Sequence, residues 1–165
     1  WIKGFKDVRL FILEDVLQEL QFTTNNMLTA VGLVGWSCTY DVERETKTGT
    51  TQRGLITTVT CPTHSANTKW KAWSGGEGQR LRLAGALALS QVLLARAGVE
   101  CNLEILDEPS KGLSTAGISD LCEFLADRAA SLNKSIYLVD HHAIESSNFS
   151  RTITIVKTQE GSKIQ

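Results

Sequence analysis

The amino-terminal quarter of the chain carries a helical period. In KDVRLFILEDVLQELQ the apolar residues Val8, Phe11, Ile12, Val16 and Leu20 recur at steps of three and four among charged neighbours. This predicts a helix from Lys6, loosened at the polar run Thr23 to Asn26 and ended by Gly32 and Gly35. The period then falls to two. Trp36, Cys38, Tyr40 and Val42 share one side of WSCTYDVERET, and RGLITTVTC is rich in β-branched residues. The polar stretch TKTGTTQRG between them predicts a hairpin, and CPTHSANTK reads as a loop.

From Trp73 the texture changes again. The pattern predicts a helix over about Gly75 to Ala97, a short buried strand in NLEILDEP, and a second helix over about Thr115 to Leu132. SIYLVD and TITIVKT read as further strands, with a turn at Gly161. Strands that alternate with helices imply a mostly parallel sheet layered by helices, so the fold class is α/β with an added hairpin. At 165 residues the chain has the size of one domain, divided into 1–72 and 73–165 by this change of texture.

Composition narrows the possibilities. A hydrophobic share of 42% suits a packed core, and a net charge of -1 gives no global basic field for nucleic acid. DNA binding would need a local patch or another part of the protein. Cys38, Cys61, Cys101 and Cys122 form no C-x-x-C pair, which predicts free thiols in a reducing, cytoplasmic setting. Arg82, Gln91 and Arg96 interrupt the most apolar helix, so it is not expected to span a membrane. No signal peptide is evident, and a first residue of Trp1 rather than Met suggests an excised fragment.

Three motifs carry chemistry. In WSGGE, Ser74 and Glu77 have capping-box spacing, but Gly75 and Gly76 each cost about 1 kcal/mol against Ala in a helix. They supply bare backbone N–H groups at the positive end of the helix dipole, a site suited to phosphate, or alternatively a plain glycine-rich cap. In LEILDEP, Asp107 and Glu108 end an apolar strand. Asp107 suits Mg²⁺ through water and Glu108 suits a water-polarising base; the bland alternative is an acid pair at a turn. In LVDHH, the imidazole after Asp140 can bond a phosphate oxygen or be purely structural. His64 carries no role.

WSGGEGQRLRLA, LEILDEPSKGLS and YLVDHH, in that order, resemble the carboxyl-terminal lobe of an ABC-type ATPase head. The resemblance makes WSGGE the signature motif, ILDE the Walker B strand and His141 the switch histidine. Glu77, where transporters usually carry Gln, and the following QRLRLA point to the DNA-repair branch, which includes SbcC, the structural-maintenance-of-chromosomes (SMC) proteins and UvrA. The helix WIKGFKDVRLFILEDVLQEL, then Asn25 and Asn26, then a hairpin before the signature, looks like the SbcC-like order. UvrA normally carries zinc-binding cysteines, and none here suit. Trp73 replaces the usual leucine, Ser114 stands where the D-loop usually has Asp, and His142 takes a place often filled by Asp or Asn.

No G-x-x-x-x-G-K-[ST] phosphate loop is present; Gly49 and Gly54 have the glycine spacing but continue into Leu55 and Ile56. The resemblance therefore implies half a head, whose partner is an amino-terminal lobe carrying the phosphate loop. It implies ATP and Mg²⁺ as ligands and a second head as homodimer partner. Ser74, Gly75, Gly76 and Glu77 would meet the other head's nucleotide, with Asp107, Glu108 and His141 in the roles above. It further implies an SbcD-type nuclease subunit, DNA as substrate, and no membrane.

Overall fold

The computed structural model describes residues 2–45, 51–69, 73, 75–142, 144, 147 and 149–165. Among the described residues, helices α1 (Ile2–Ala30), α2 (Gly75–Ala97) and α3 (Thr115–Leu132) share a core with two of three small sheets, the third being exposed along its length. Strands β1 (Ser37–Glu45), β2 (Thr51–Cys61) and β3 (His64–Lys69) form an antiparallel sheet in that order. Strands β4 (Leu103–Asp107) and β5 (Ser135–Val139) pair in parallel, and β6 (Ile155–Thr158) pairs antiparallel with β7 (Gly161–Ile164). The α/β class stands, with a parallel part of two strands.

All three helices end alike. Residues Gly32, Gly98 and Asn133 adopt positive φ, and the residue after each donates five positions back, Leu33 to Leu28, Val99 to Leu94 and Lys134 to Ala129. This is the Schellman ending that a left-handed residue permits, and it explains why glycine or asparagine stands at each stop.

The run Thr23–Asn26 does not loosen α1, which continues through it. Those polar side chains bond the edge of β1: Cys38 N donates to Asn25 Oδ1 at 2.7 Å, and Asn25 Nδ2 donates to Cys38 O at 3.2 Å. Tyr40 N donates to Gln21 Oε1, and buried Thr24 shares a hydrogen bond with the Tyr40 hydroxyl. Helix side chains stand in for a neighbouring strand, and these bonds outweigh a weak local propensity. The segment CPTHSANTK is not a plain loop either, since its second half is β3. The expected turn between β1 and β2 lies in part outside the described residues.

The core joins Leu28 of α1 and Val31 just after it, Cys38 and Val59 of the antiparallel sheet, Leu81, Ala84 and Leu87 of α2, and Leu121 and Leu125 of α3. Leu106, Ile136 and Leu138 bring one face of the parallel pair onto it. The other face is open, with Ile105 64% and Tyr137 54% exposed, beside exposed Leu103 and Val139. A strand read as buried on both faces is thus covered on one. The amino-terminal part of α1 is similarly uncovered at Val8, Phe11 and Ile12. Cys38, Cys101 and Cys122 carry free thiols, and Cys38, Cys61 and Cys122 are buried; burial pushes the Cys38 thiol up to about 11. No helix among the described residues is long and apolar enough to cross a membrane.

An acid occupies the covered face of β4. Glu104 accepts from Arg128 Nε and Nη2 of α3, both at 2.8 Å, and from Lys134 Nζ at 2.9 Å. Arg128, buried, reaches on to Gln91 of α2 and the Met27 sulfur of α1. The Arg128 bonds hold the Glu104 carboxyl below its ordinary range; burial opposes this, and Lys134 adds to it. Arg128→Met should therefore lower stability by about 3 kcal/mol, because it removes two of the three bonds to a buried carboxylate and leaves only Lys134 to balance its charge. The urea midpoint measures this, and a loss under about 1 kcal/mol would refute it.

Candidate functional site

The parallel ladder runs one residue past the strands. Glu108 N donates to Val139 O at 2.8 Å, beyond the last register pair Asp107–Val139. Immediately after this bond the chain turns, with Glu108 itself in a left-handed conformation at φ 46. Such a backbone is uncommon and costly for a residue with a Cβ, so tertiary contacts must impose it. It sets the Glu108 Oε1 3.3 Å from His141 Nδ1, while Lys111 Nζ stands 3.8 Å from Oε2. Asp107, exposed, is the last residue of β4. The structure thus brings together two of the sequence-predicted residues, Glu108 and His141, with Asp107 next to Glu108 in the chain.

Behind them is a group that the sequence reading left without a role. Asp140, with 3% of its side chain exposed, accepts from buried Ser110 Oγ at 2.5 Å and from the His142 amide at 2.9 Å. Its Oδ1 also stands 2.8 Å from His142 Nδ1. Burial alone raises the Asp140 carboxyl, but the Ser110 hydroxyl and the His142 amide and ring together lower it to about 2. The only sequence signal was an acid at the end of a strand; Ser110 gave none.

The remaining predicted residues form a second cluster. Gly75 begins α2 with φ 57, a geometry that itself calls for glycine, and a Cβ there would meet nothing within 4 Å. Gly76 lies against the 110–114 loop, where a Cβ would stand 3.3 Å from Gly112 O. Their glycines therefore serve the chain's own turn and packing as well as leaving the helix start bare. Glu77 is exposed, and Ser74, with the capping box it would complete, lies outside the described residues. Ser114 caps α3, its hydroxyl accepting from Gly117 N at 3.2 Å. A groove of about 570 Å³ runs between Gly76, Glu77, Arg80, Ser114 and Trp36, which packs on Trp73 at 4.5 Å. Gln79 Nε2 donates to Pro109 O and ties this cluster to the Glu108 turn.

No family model and no curated protein matches the chain. Solved structures do. An SMC ATPase structure, from work on ATP-driven dimerization and DNA-stimulated activation, aligns at TM-score 0.72 and 13% identity over 93% of this chain and 86% of that one. The fold is that of the carboxyl-terminal lobe of an SMC-type ATPase head. The Smc head from Pyrococcus furiosus, with an extended coiled coil and bound to the C-terminal domain of ScpA, aligns at 0.62 and 16% identity over 99% of this chain and 37% of that one. The SMC head domain from Thermotoga maritima aligns at 0.59 and 16% over 90% of this chain and 47% of that one. The chain thus spans less than half of the Pyrococcus and Thermotoga structures, and at these identities the likeness is one of fold.

Within this SMC-head fold, the donors suit the implied ligands. Carboxylate oxygens at Asp107 and Glu108 match a hard cation, and the open start of α2 offers backbone N–H groups to an anion.

Two outcomes follow from the geometry. Asp140 titrates lower in the folded chain than the ordinary carboxylate value, so its stabilising effect is present above about pH 4. It is lost as pH falls toward 2, and the stability gap between the wild type and Asp140→Asn should narrow across that window, by about 2 kcal/mol at most. Acid titration of the two melting curves tests it, and a constant gap would refute it. Separately, Glu108→Gly should stabilise the fold by about 0.5–1 kcal/mol by relieving a left-handed residue, seen as a higher melting temperature, whereas Glu108→Gln should not; an unchanged or lower melting temperature in Glu108→Gly would refute it.

Proposed function

We propose that this chain is the carboxyl-terminal half of an ATPase head that binds and hydrolyses ATP between two heads to drive DNA processing. The observation that carries the reading is the Glu108–His141 pair at the ends of two adjacent parallel strands in an SMC-head fold. In this reading Asp107 holds Mg²⁺ through water, and Glu108 polarises the attacking water. His141 bonds the terminal phosphate, and Mg²⁺ supplies neutralisation of the phosphate charge.

With no phosphate loop in the sequence, the nucleotide's other contacts come from an amino-terminal lobe. The open apolar face of β4 and β5 gives that lobe a seat. Ser74, Gly75, Gly76 and Glu77 act on the nucleotide of a second copy. The bare, open start of α2 at Gly75, where a Cβ would meet nothing within 4 Å, supports a site completed by another head. Ser114, used as a helix cap, takes the D-loop position.

The finer assignment is an SbcC-like head working with an SbcD-type nuclease subunit in DNA repair or recombination. It is supported by the sequence order of coil-exit helix, asparagine segment, hairpin and signature. The competing reading, an SMC-like head that tethers DNA without a nuclease, fits the same fold. Co-purification of a nuclease with the parent protein would decide for the first.

The ATPase reading is tested with this chain joined to a phosphate-loop lobe. Glu108→Gln should lower Mg²⁺-dependent turnover by about 10²–10⁴-fold while ATP still drives dimerisation. The chain alone should show no turnover. Robust hydrolysis by the isolated chain, or a two-lobe head that never dimerises with ATP, would overturn the reading, the latter in favour of a non-catalytic interaction module.

A further inference from the structure

The ATPase reading uses His141 and leaves His142 idle, yet the two imidazoles are arranged as a pair. Their ring centroids are 4.2 Å apart at 34°, and both side chains are well exposed, 64% and 43%. Each Nδ1 is backed by a carboxylate, His141 by Glu108 at 3.3 Å and His142 by Asp140 at 2.8 Å. One ligand atom each from Asp140, His141 and His142 falls within 4.8 Å of the others.

The environment of His142 fixes its tautomer. Asp140 Oδ1 is an acceptor, and Ser110 Oγ, which spends its proton on Asp140 Oδ2, turns a lone pair toward His142 Nδ1 at 3.0 Å. With acceptors on both sides, Nδ1 carries the proton and Nε2 keeps its lone pair. A buried carboxylate behind a histidine N–H is the usual outer-shell support of a metal-binding imidazole, which it orients and makes more basic. Here it is itself locked by Ser110 and by the His142 amide, so the ring is oriented before any ion arrives.

We propose that His141 and His142 form a site for a divalent transition-metal ion of the Zn²⁺ class, with Nε2 of each ring as ligand and Asp140 as the positioning residue. Imidazole nitrogens favour Zn²⁺, Co²⁺, Ni²⁺ or Cu²⁺ over Mg²⁺, so the site is chemically separate from the carboxylate oxygens of Asp107 and Glu108. An ion there also occupies the histidine beside Glu108. If the ATPase reading holds, Zn²⁺ slows hydrolysis in the two-lobe head, and His142→Asn relieves the inhibition; binding itself does not depend on that reading.

The test is titration of Co²⁺ into the full chain without nucleotide, in a Cys101→Ser background that removes the one partly exposed thiol. The expected result is a set of visible d–d bands stronger than those of aqueous Co²⁺, bleached by Zn²⁺ and unaffected by Mg²⁺. His142→Asn keeps a donor near Asp140 but lacks Nε2, and should abolish the bands with the far-UV CD spectrum unchanged. Asp140→Asn should weaken binding by about 10–100-fold. His64→Ala should bind like the parent. Bands absent from the parent, retained in His142→Asn, or lost in His64→Ala would each overturn the site, and unchanged affinity in Asp140→Asn would overturn its positioning role. None of these outcomes bears on ATP hydrolysis, so the two readings fail separately.

Discussion

A guanidinium enclosed by four elements holds this fold in register. Arg128 of α3 clasps Glu104 through two bonds at 2.8 Å and reaches Gln91 of α2 and Met27 of α1. A carboxylate on the covered face of a short strand is costly to bury alone, and a bidentate guanidinium with an added ammonium satisfies most of its lone pairs. Because the pairing is directional, it fixes where β4 lies along α3 as well as how closely. Apolar contacts at Leu106, Ile136 and Leu138 add burial without that directionality.

The placement of β4 is what sets the chemistry at its end. Once Leu103–Asp107 is held against Ser135–Val139, the next amide finds the Val139 carbonyl, and Glu108 is turned into the left-handed region beside His141. The loop that follows then puts Ser110 under Asp140 and brings Gly112 against Gly76. One strand terminus therefore governs two clusters, and the bond from Gln79 to Pro109 connects them. This economy of supports explains how a two-stranded parallel sheet organises carboxylates, imidazoles and a bare helix start in a small volume.

The outline of the fold was legible because its signals are local. Helix stops at Gly32, Gly98 and Asn133 reflect the freedom of those residues at positive φ, and the apolar period of α2 is visible residue by residue. The strand ends bearing Asp107, Glu108 and His141 were legible for the same reason. What escaped was every role set by a distant partner. Asn25 and Thr24 look like helix breakers until Cys38 and Tyr40 stand opposite them. Glu104 resembles a surface acid within a strand until Arg128 arrives from 24 residues away. Ser110 is an ordinary turn residue until the end of β5 places Asp140 above it, 30 residues on.

Side-chain type, apolar period and turn residues a few positions apart were enough to put the candidate groups at their element ends, because each is a local property. The lack of any stretch with G-x-x-x-x-G-K-[ST] spacing was readable in the same way. Which groups meet was set by contacts across the chain. Those contacts left one apolar face of the parallel pair open, placed Glu108 at positive φ and paired His142 with a buried acid. Those outcomes depend on contacts between residues far apart in the chain, whose geometry no local pattern encodes.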